Sequence, residues 1–81
     1  MTEYPIKTPQ QLGVVLQGYR RERKLTQLTV GTNVGLAQNA VSMIETNPGP
    51  ASLERIFKVL SSLDLELVVR PKKPASGKTE W

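Results

Sequence analysis

The sequence predicts an all-α domain of four helices, followed by one short β-strand and a polar tail. Apolar residues recur at helical spacing in four segments, which are separated by capping residues, glycine or proline. After Asp64 the apolar residues instead alternate as they do in a strand. The 81 residues suffice for one small domain with one small core. We therefore expect a folded domain over residues 1–71 and a flexible, disordered tail over residues 72–81.

Helix 1 is predicted to run from Pro9 to about Lys24. Residues 8–11 supply a threonine N-cap, a proline in the first turn and a glutamine placed for a capping box. Four residues at helical spacing are expected to face the core: Leu12, Val15, Leu16 and Tyr19.

Helices 2 and 3 are predicted over about 27–34 and 38–46, with Thr26 as the N-cap of helix 2. Gly31 lets the two helices approach, and Gly35 supplies the positive φ of the turn. The residues expected to point outward from helix 3 are Gln38, Asn39, Ser42 and Met43. Such a row is typical of a helix that lies in the major groove of DNA. The alternative is an ordinary αα-hairpin with a polar face.

Helix 4 begins after the break at residues 47–50, and Ser52 is its predicted N-cap. One apolar stripe is expected to face the core: Leu53, Ile56, Phe57, Leu60 and Leu63.

Residues 65–70 are predicted to form the strand, which ends at Pro71. The chain offers no second strand, so the partner must come from another molecule, most simply the same strand of a second copy. The alternative is a frayed extension of helix 4. The residues expected to form the dimer strand are Leu65, Leu67, Val68 and Val69.

The tail is rich in proline, glycine, serine and lysine, and it ends on the single tryptophan of the chain, Trp81. A tryptophan reached through a flexible segment cannot belong to the core. It is either incidental or an aromatic anchor for a pocket on a partner.

Composition argues against an enzyme. The chain has no cysteine and no histidine, so the usual nucleophiles, general bases and transition-metal ligands are missing. Its seven carboxylates are scattered, and no pair has a spacing typical of acid–base catalysis. We expect no cofactor and no metal.

Charge and hydropathy indicate the kind of partner. Eleven Lys and Arg residues against seven Asp and Glu give a net charge of +4, which favours a polyanionic partner without proving one. No apolar run is long enough for a membrane span and no signal-peptide core is present, so we expect a soluble, cytoplasmic protein with no membrane partner.

The segment Leu25–Glu45 resembles the XRE/Cro-type helix-turn-helix domain of phage and bacterial repressors, through the pattern Thr-Gln…Gly…Gln…Val-Ser…Ile-Glu. This resemblance covers about residues 9–63. The whole chain is more particularly similar to HipB-type antitoxins, which share four helices, a dimer-forming strand and a flexible tail. The resemblance implies a bacterial, nucleoid-associated homodimer that represses transcription from its own inverted-repeat operator in double-stranded DNA. It also implies a HipA-type serine/threonine kinase toxin as a partner.

The resemblance assigns roles to individual residues. Base contacts fall on Ala37, Gln38, Asn39 and Ser42. Phosphate contacts fall on Gln27, Thr26, Met43, Arg23 and Lys24, although Met43 stands where a lysine or arginine is common. Arg20 and Glu45 are expected to form a structural ion pair between helices 1 and 3; the alternative for Arg20 is a solvated surface arginine. Trp81 is the expected toxin-binding residue.

One departure from the family pattern concerns helix 3. Ala37 stands where a serine or threonine usually caps that helix, so it should begin less firmly, by about 1 kcal/mol.

Two other functions remain open. The chain could be a stand-alone, phage-like XRE regulator with no toxin partner, which the presence of a kinase-like gene beside it would argue against. It could also be a protein-interaction adaptor that uses the scaffold without binding DNA, which a gel shift would test.

Overall fold

The computed structural model describes residues 3–72, which form four helices. Their bounds are α1 (Pro9–Glu22), α2 (Gln27–Thr32), α3 (Gln38–Thr46) and α4 (Leu53–Ser62). The all-α class is confirmed, and α3 has the bounds predicted for it, whereas α1 and α2 each end two residues earlier than expected. Trp81 and the tail from Lys73 onward lie outside the described residues. No helix within residues 3–72 is both long and apolar enough to cross a bilayer.

The helix starts follow the predicted capping chemistry. The side chains of Thr8, Thr26 and Ser52 accept hydrogen bonds from backbone N–H groups in the first turns of α1, α2 and α4. Each such cap contributes about 1 kcal/mol. Ala37 begins α3 with no side-chain cap, as the sequence indicated.

Three helix ends share one backbone geometry. The residue after the last turn lies in the left-handed region at Lys24 (φ 58°), Gly35 (φ 75°) and Asp64 (φ 57°). In each case the next residue donates its N–H to the carbonyl five residues earlier, for example from Leu65 to Leu60 at 2.8 Å. This is the Schellman arrangement, which satisfies carbonyls that would otherwise lack donors. Gly35 therefore has the positive φ that its place in the turn predicted.

Two glycines permit close backbone contacts. A Cβ on Gly31 would lie 2.4 Å from the carbonyl oxygen of Leu36, so the turn after α2 closes directly onto that helix. A Cβ on Gly13 would lie 2.4 Å from the carbonyl oxygen of Glu45, which brings α1 against the backbone of α3. The role of Gly31 was expected from its position, but that of Gly13 was not.

The core is small and lies between all four helices. Its buried apolar residues are Leu16, Val30, Val41, Ile44, Val59, Leu60 and Leu63. The hydroxyl of Ser62 donates to the carbonyl of Val30 at 2.9 Å and so fixes α4 against α2.

The expected inward stripe of α4 is partly wrong. Leu53 and Phe57 are 65% and 49% exposed, whereas Val59, which the stripe omitted, is 1% exposed. The reason is that α4 packs against α2 through its C-terminal turns. Leu53 in the first turn and Phe57 in the second are left exposed, whereas Ile56 packs against the core.

The segment after α4 is not a continuation of the helix. Asp64 reverses the backbone and the described residues beyond it are non-helical, which excludes the frayed-helix alternative. Within residues 3–72 this segment pairs with no other strand, and Leu67, Val68 and Val69 are 56%, 68% and 92% exposed. Strand pairing with a second copy stays a prediction.

A matched pair of glycine substitutions in α1 tests the close approach to α3. Gly13→Ala places a methyl group against the backbone of Glu45 and should lower the free energy of unfolding by about 1–3 kcal/mol. Gly18→Ala meets nothing within 4 Å and should raise it by about 0.5–1 kcal/mol through helix propensity. Urea denaturation at one protein concentration measures both. A Gly13→Ala protein as stable as the parent would contradict the packing.

Candidate nucleic-acid interface

The outward face of α3 carries the predicted row of polar side chains. Gln38 and Asn39 are exposed in its first turn, and Ser42 is partly exposed one turn on. Met43 is 56% exposed, and Ala37 is exposed directly before the helix. The four side chains assigned to base contacts therefore lie with Met43, which was assigned to a phosphate contact, on one accessible surface. We call this surface the α3 face: Ala37, Gln38, Asn39, Ser42 and Met43.

A buried ion pair holds α3 against α1. Arg20 Nε lies 2.5 Å from Glu45 Oε2, and Arg20 Nη2 donates to Glu45 Oε1 at 3.1 Å. The side chains are only 11% and 1% exposed, which excludes the alternative of a solvated arginine. The guanidinium also donates to the carbonyl of Leu25 at 2.8 Å, so a bidentate contact is joined by a third hydrogen bond. The ion pair expected between helices 1 and 3 is present.

Glu45 also receives a hydrogen bond from α2. Gln27 Nε2 donates to Glu45 Oε1 at 3.1 Å, so one carboxylate links the start of α2, the end of α1 and the end of α3. Gln27 therefore supports α3 from the start of α2. Its contact with a phosphate stays a prediction, as does that of the neighbouring Thr26. The Thr26 hydroxyl already bonds locally, accepting from the N–H of Thr29 at 3.0 Å and donating to its hydroxyl at 2.9 Å.

Arg23 makes a contact that the sequence did not predict. Its guanidinium donates to the carbonyl of Leu63, and Nη1 lies 4.0 Å from Asp64 Oδ2. The side chain therefore bonds the C-terminal end of α4, and its contact with a phosphate stays a prediction. The sequence could not reveal this, because the two groups are 40 residues apart. Lys24, the next residue, is exposed and precedes α2.

A groove of about 510 Å³ runs beside the α3 face. Asn39, Met43 and Asn47, spaced one turn apart on or just after α3, line it, as does Arg55 in the first turn of α4. Arg55 was not singled out from the sequence. The available signal was a lone arginine close behind the helix 4 cap, which periodicity alone does not place beside α3.

Comparison with known proteins gives consistent matches. The helix-turn-helix family model matches residues 16–69. The chain is 33% identical over 76 residues to antitoxin HipB of Escherichia coli O6:H1, covering 94% of this chain and 81% of that protein. For antitoxin HipB of Escherichia coli K12 the identity is 32% over 76 residues, covering 94% of this chain and 86% of that protein.

Solved structures agree with these matches. A complex of a HipB variant with an O2 20mer superposes with a TM-score of 0.86 at 29% identity, covering 89% of this chain and 100% of that chain. A chain of the HipA–HipB–O2–O3 complex gives a TM-score of 0.85 at 30% identity, covering 88% of this chain and 100% of that chain.

The ion pair makes a prediction about stability. Arg20→Met leaves the buried Glu45 carboxylate without a charged partner and should lower the free energy of unfolding by about 3–5 kcal/mol. Adding Glu45→Gln removes the buried charge while keeping an acceptor for Gln27, so the double variant should recover at least half of that loss. Urea unfolding at equal protein concentration compares the two proteins. A double variant no more stable than the single one would contradict the assignment.

Proposed function

The chain belongs to the helix-turn-helix family and, within it, to the HipB-type antitoxins, and we propose that it is a dimeric, operator-binding repressor. It acts in the bacterial cytoplasm, at the nucleoid, on an inverted repeat near its own gene. The observation that carries this proposal is the α3 face, whose short polar side chains are exposed while the rest of the helix is held by Glu45. The reported complexes of HipB with O2 and O4 20mers support a nucleic-acid partner.

Base readout is assigned to the first turn of α3. Gln38 carries a carboxamide that can bond to both N6 and N7 of adenine, and Asn39 and Ser42 lie beside it. Ala37 offers a methyl group to thymine. Gln27, Thr26 and Lys24 contact phosphates at the edge of the same surface, where their role is to fix register more than sequence.

Dimerisation supplies the second recognition helix. Exposed apolar side chains lie on α4 and on the segment that follows it: Leu53, Phe57, Leu67, Val68 and Val69. A second copy that pairs along residues 65–70 would cover part of this surface and satisfy the unpaired backbone. Two α3 helices about 34 Å apart would then enter successive major grooves on one side of the duplex.

The second partner is a HipA-type serine/threonine kinase toxin. The HipA–HipB–O2–O3 complex supports this, because the relative in it assembles with both kinds of partner. The domain of residues 1–71 binds DNA and a second copy. The tail of residues 72–81 carries Trp81, an aromatic anchor for a pocket on the toxin. Co-purification with the product of the adjoining gene, with and without residues 73–81, tests this arm of the proposal.

Operator recognition makes a prediction for Gln38. Gln38→Ala should weaken binding to the duplex upstream of the gene by about 1–3 kcal/mol and relax discrimination at one base step. Binding to an unrelated duplex should not change, because phosphate contacts remain. Fluorescence anisotropy at fixed salt measures both, with Gln10→Ala, an exposed glutamine in the first turn of α1, as the control. If Gln38→Ala left operator affinity intact, this residue would not read a base.

The dimer makes a separate prediction. Leu67→Asp places a charge in the shared strand, and light scattering should then give the 9.0 kDa chain mass where the parent protein gives twice that value. Val14→Asp is the matched control, because Val14 is 67% exposed on α1, outside the proposed interface. Operator affinity should fall steeply for Leu67→Asp and stay unchanged for Val14→Asp. A parent protein that is monomeric at working concentration would refute the dimer.

A further inference from the structure

Neither helix of the helix-turn-helix pair carries a positive charge. The sequences of α2 and α3 contain no lysine and no arginine, and the one charged residue in α3 is the buried Glu45. Nucleic-acid affinity rests largely on cations that neutralise phosphates. Phosphate-directed charge must therefore reach the edges of the α3 face from other elements.

The arginines of the chain differ in whether their side chains are bonded to other residues. Arg20 is bonded to Glu45, Arg23 to the end of α4, and Arg70 to Glu3 at 2.7 Å. The side chains of Arg21 and Arg55 make no hydrogen bond or ion pair with any residue in the range 3–72. These two guanidiniums are therefore available to a partner.

Of these two arginines, only Arg55 lies beside the α3 face. It lines the groove together with Asn39, Met43 and Asn47, whereas Arg21 does not line that groove. The backbone of Arg55 is part of the cap of α4, because its N–H donates to Ser52 Oγ at 3.2 Å. The groove is thus lined by uncharged side chains on or just after α3 and by one cation from the first turn of α4.

We propose that this groove is a phosphate site for the operator backbone, and that Arg55 is its charged ligand. The proposal rests on the proposed function, since it assumes that α3 lies in a major groove. A sugar–phosphate strand at the edge of the DNA major groove would run between α3 and the first turn of α4. There the guanidinium can donate two hydrogen bonds to one phosphodiester. Arg55 then supplies the charge that α3 lacks and positions the recognition helix without reading sequence.

The test measures the salt dependence of DNA binding. Each neutralised phosphate contributes about −0.9 to the slope of log K against log salt concentration, so Arg55→Gln should make the slope shallower by about 0.9 per protomer. At 0.1 M salt this corresponds to a loss of roughly five- to tenfold per contact, of similar size for the operator and for an unrelated duplex. The melting temperature should stay within the error of the measurement, because Arg55 is exposed and its side chain has no partner within residues 3–72.

The matched control is Arg21→Gln, which removes the same charge from a residue outside the groove. Its slope should equal that of the parent protein. Met43→Lys in the Arg55→Gln background should restore the slope, since both residues line the same groove.

Two results would overturn the proposal while leaving operator binding in place. One is an unchanged slope for Arg55→Gln; if that protein also no longer captures the toxin, the groove is assigned to a protein partner. The other is an equal loss for Arg21→Gln, which would indicate general charge alone. A parent protein that binds no duplex at all would instead refute the proposed function itself.

Discussion

The rest of the structure depends on the Glu45 carboxylate. Its two oxygens receive the Arg20 guanidinium and the Gln27 amide, so α1, α2 and α3 meet at one acceptor group that is almost wholly buried. Taking these charges out of water is costly, and a well-packed apolar pair would serve stability about as well. The polar arrangement instead sets the orientation of α3. An apolar contact tolerates small rotations, whereas a bidentate ion pair with a third donor fixes the rotation of α3 about its own axis.

In so small a domain, the orientation of α3 depends more on specific contacts than on the size of the apolar core. Within residues 3–72 the buried core comprises seven apolar side chains, and close backbone approach is obtained by leaving side chains out, at Gly13 and Gly31. Backbone then packs on backbone, which keeps α3 near the body of the domain while its outer face stays free. The polar link at Glu45 and the glycine contact at the same residue act on the end of α3 that is remote from the first turn, which we propose reads bases.

Much of this arrangement is determined by interactions between residues close in sequence, and those parts could be predicted from the sequence. The caps at Thr8, Thr26 and Ser52 and the turn at Gly35 follow from short-range chemistry. The Arg20–Glu45 pair came from family resemblance. The failures are tertiary. An α4 that carries apolar residues on two sides, at Phe57 and at Val59, gives no periodic signal for which side meets the core. The contact of Arg23 with the end of α4 and the position of Arg55 beside α3 are tertiary contacts between residues distant in sequence. Local sequence patterns do not reveal such contacts.

The bond from Arg23 to the carbonyl of Leu63 has a mechanical consequence. Arg20 and Arg23 lie one turn apart. Arg20 bonds to α3, and Arg23 bonds to the residue where the chain leaves α4 toward the exposed apolar segment that follows. The C-terminal end of α1 thus contacts both α3, through Arg20, and the point where the chain leaves α4, through Arg23. A change in the position of residues 65–72 would therefore act on the same end of α1 that orients α3.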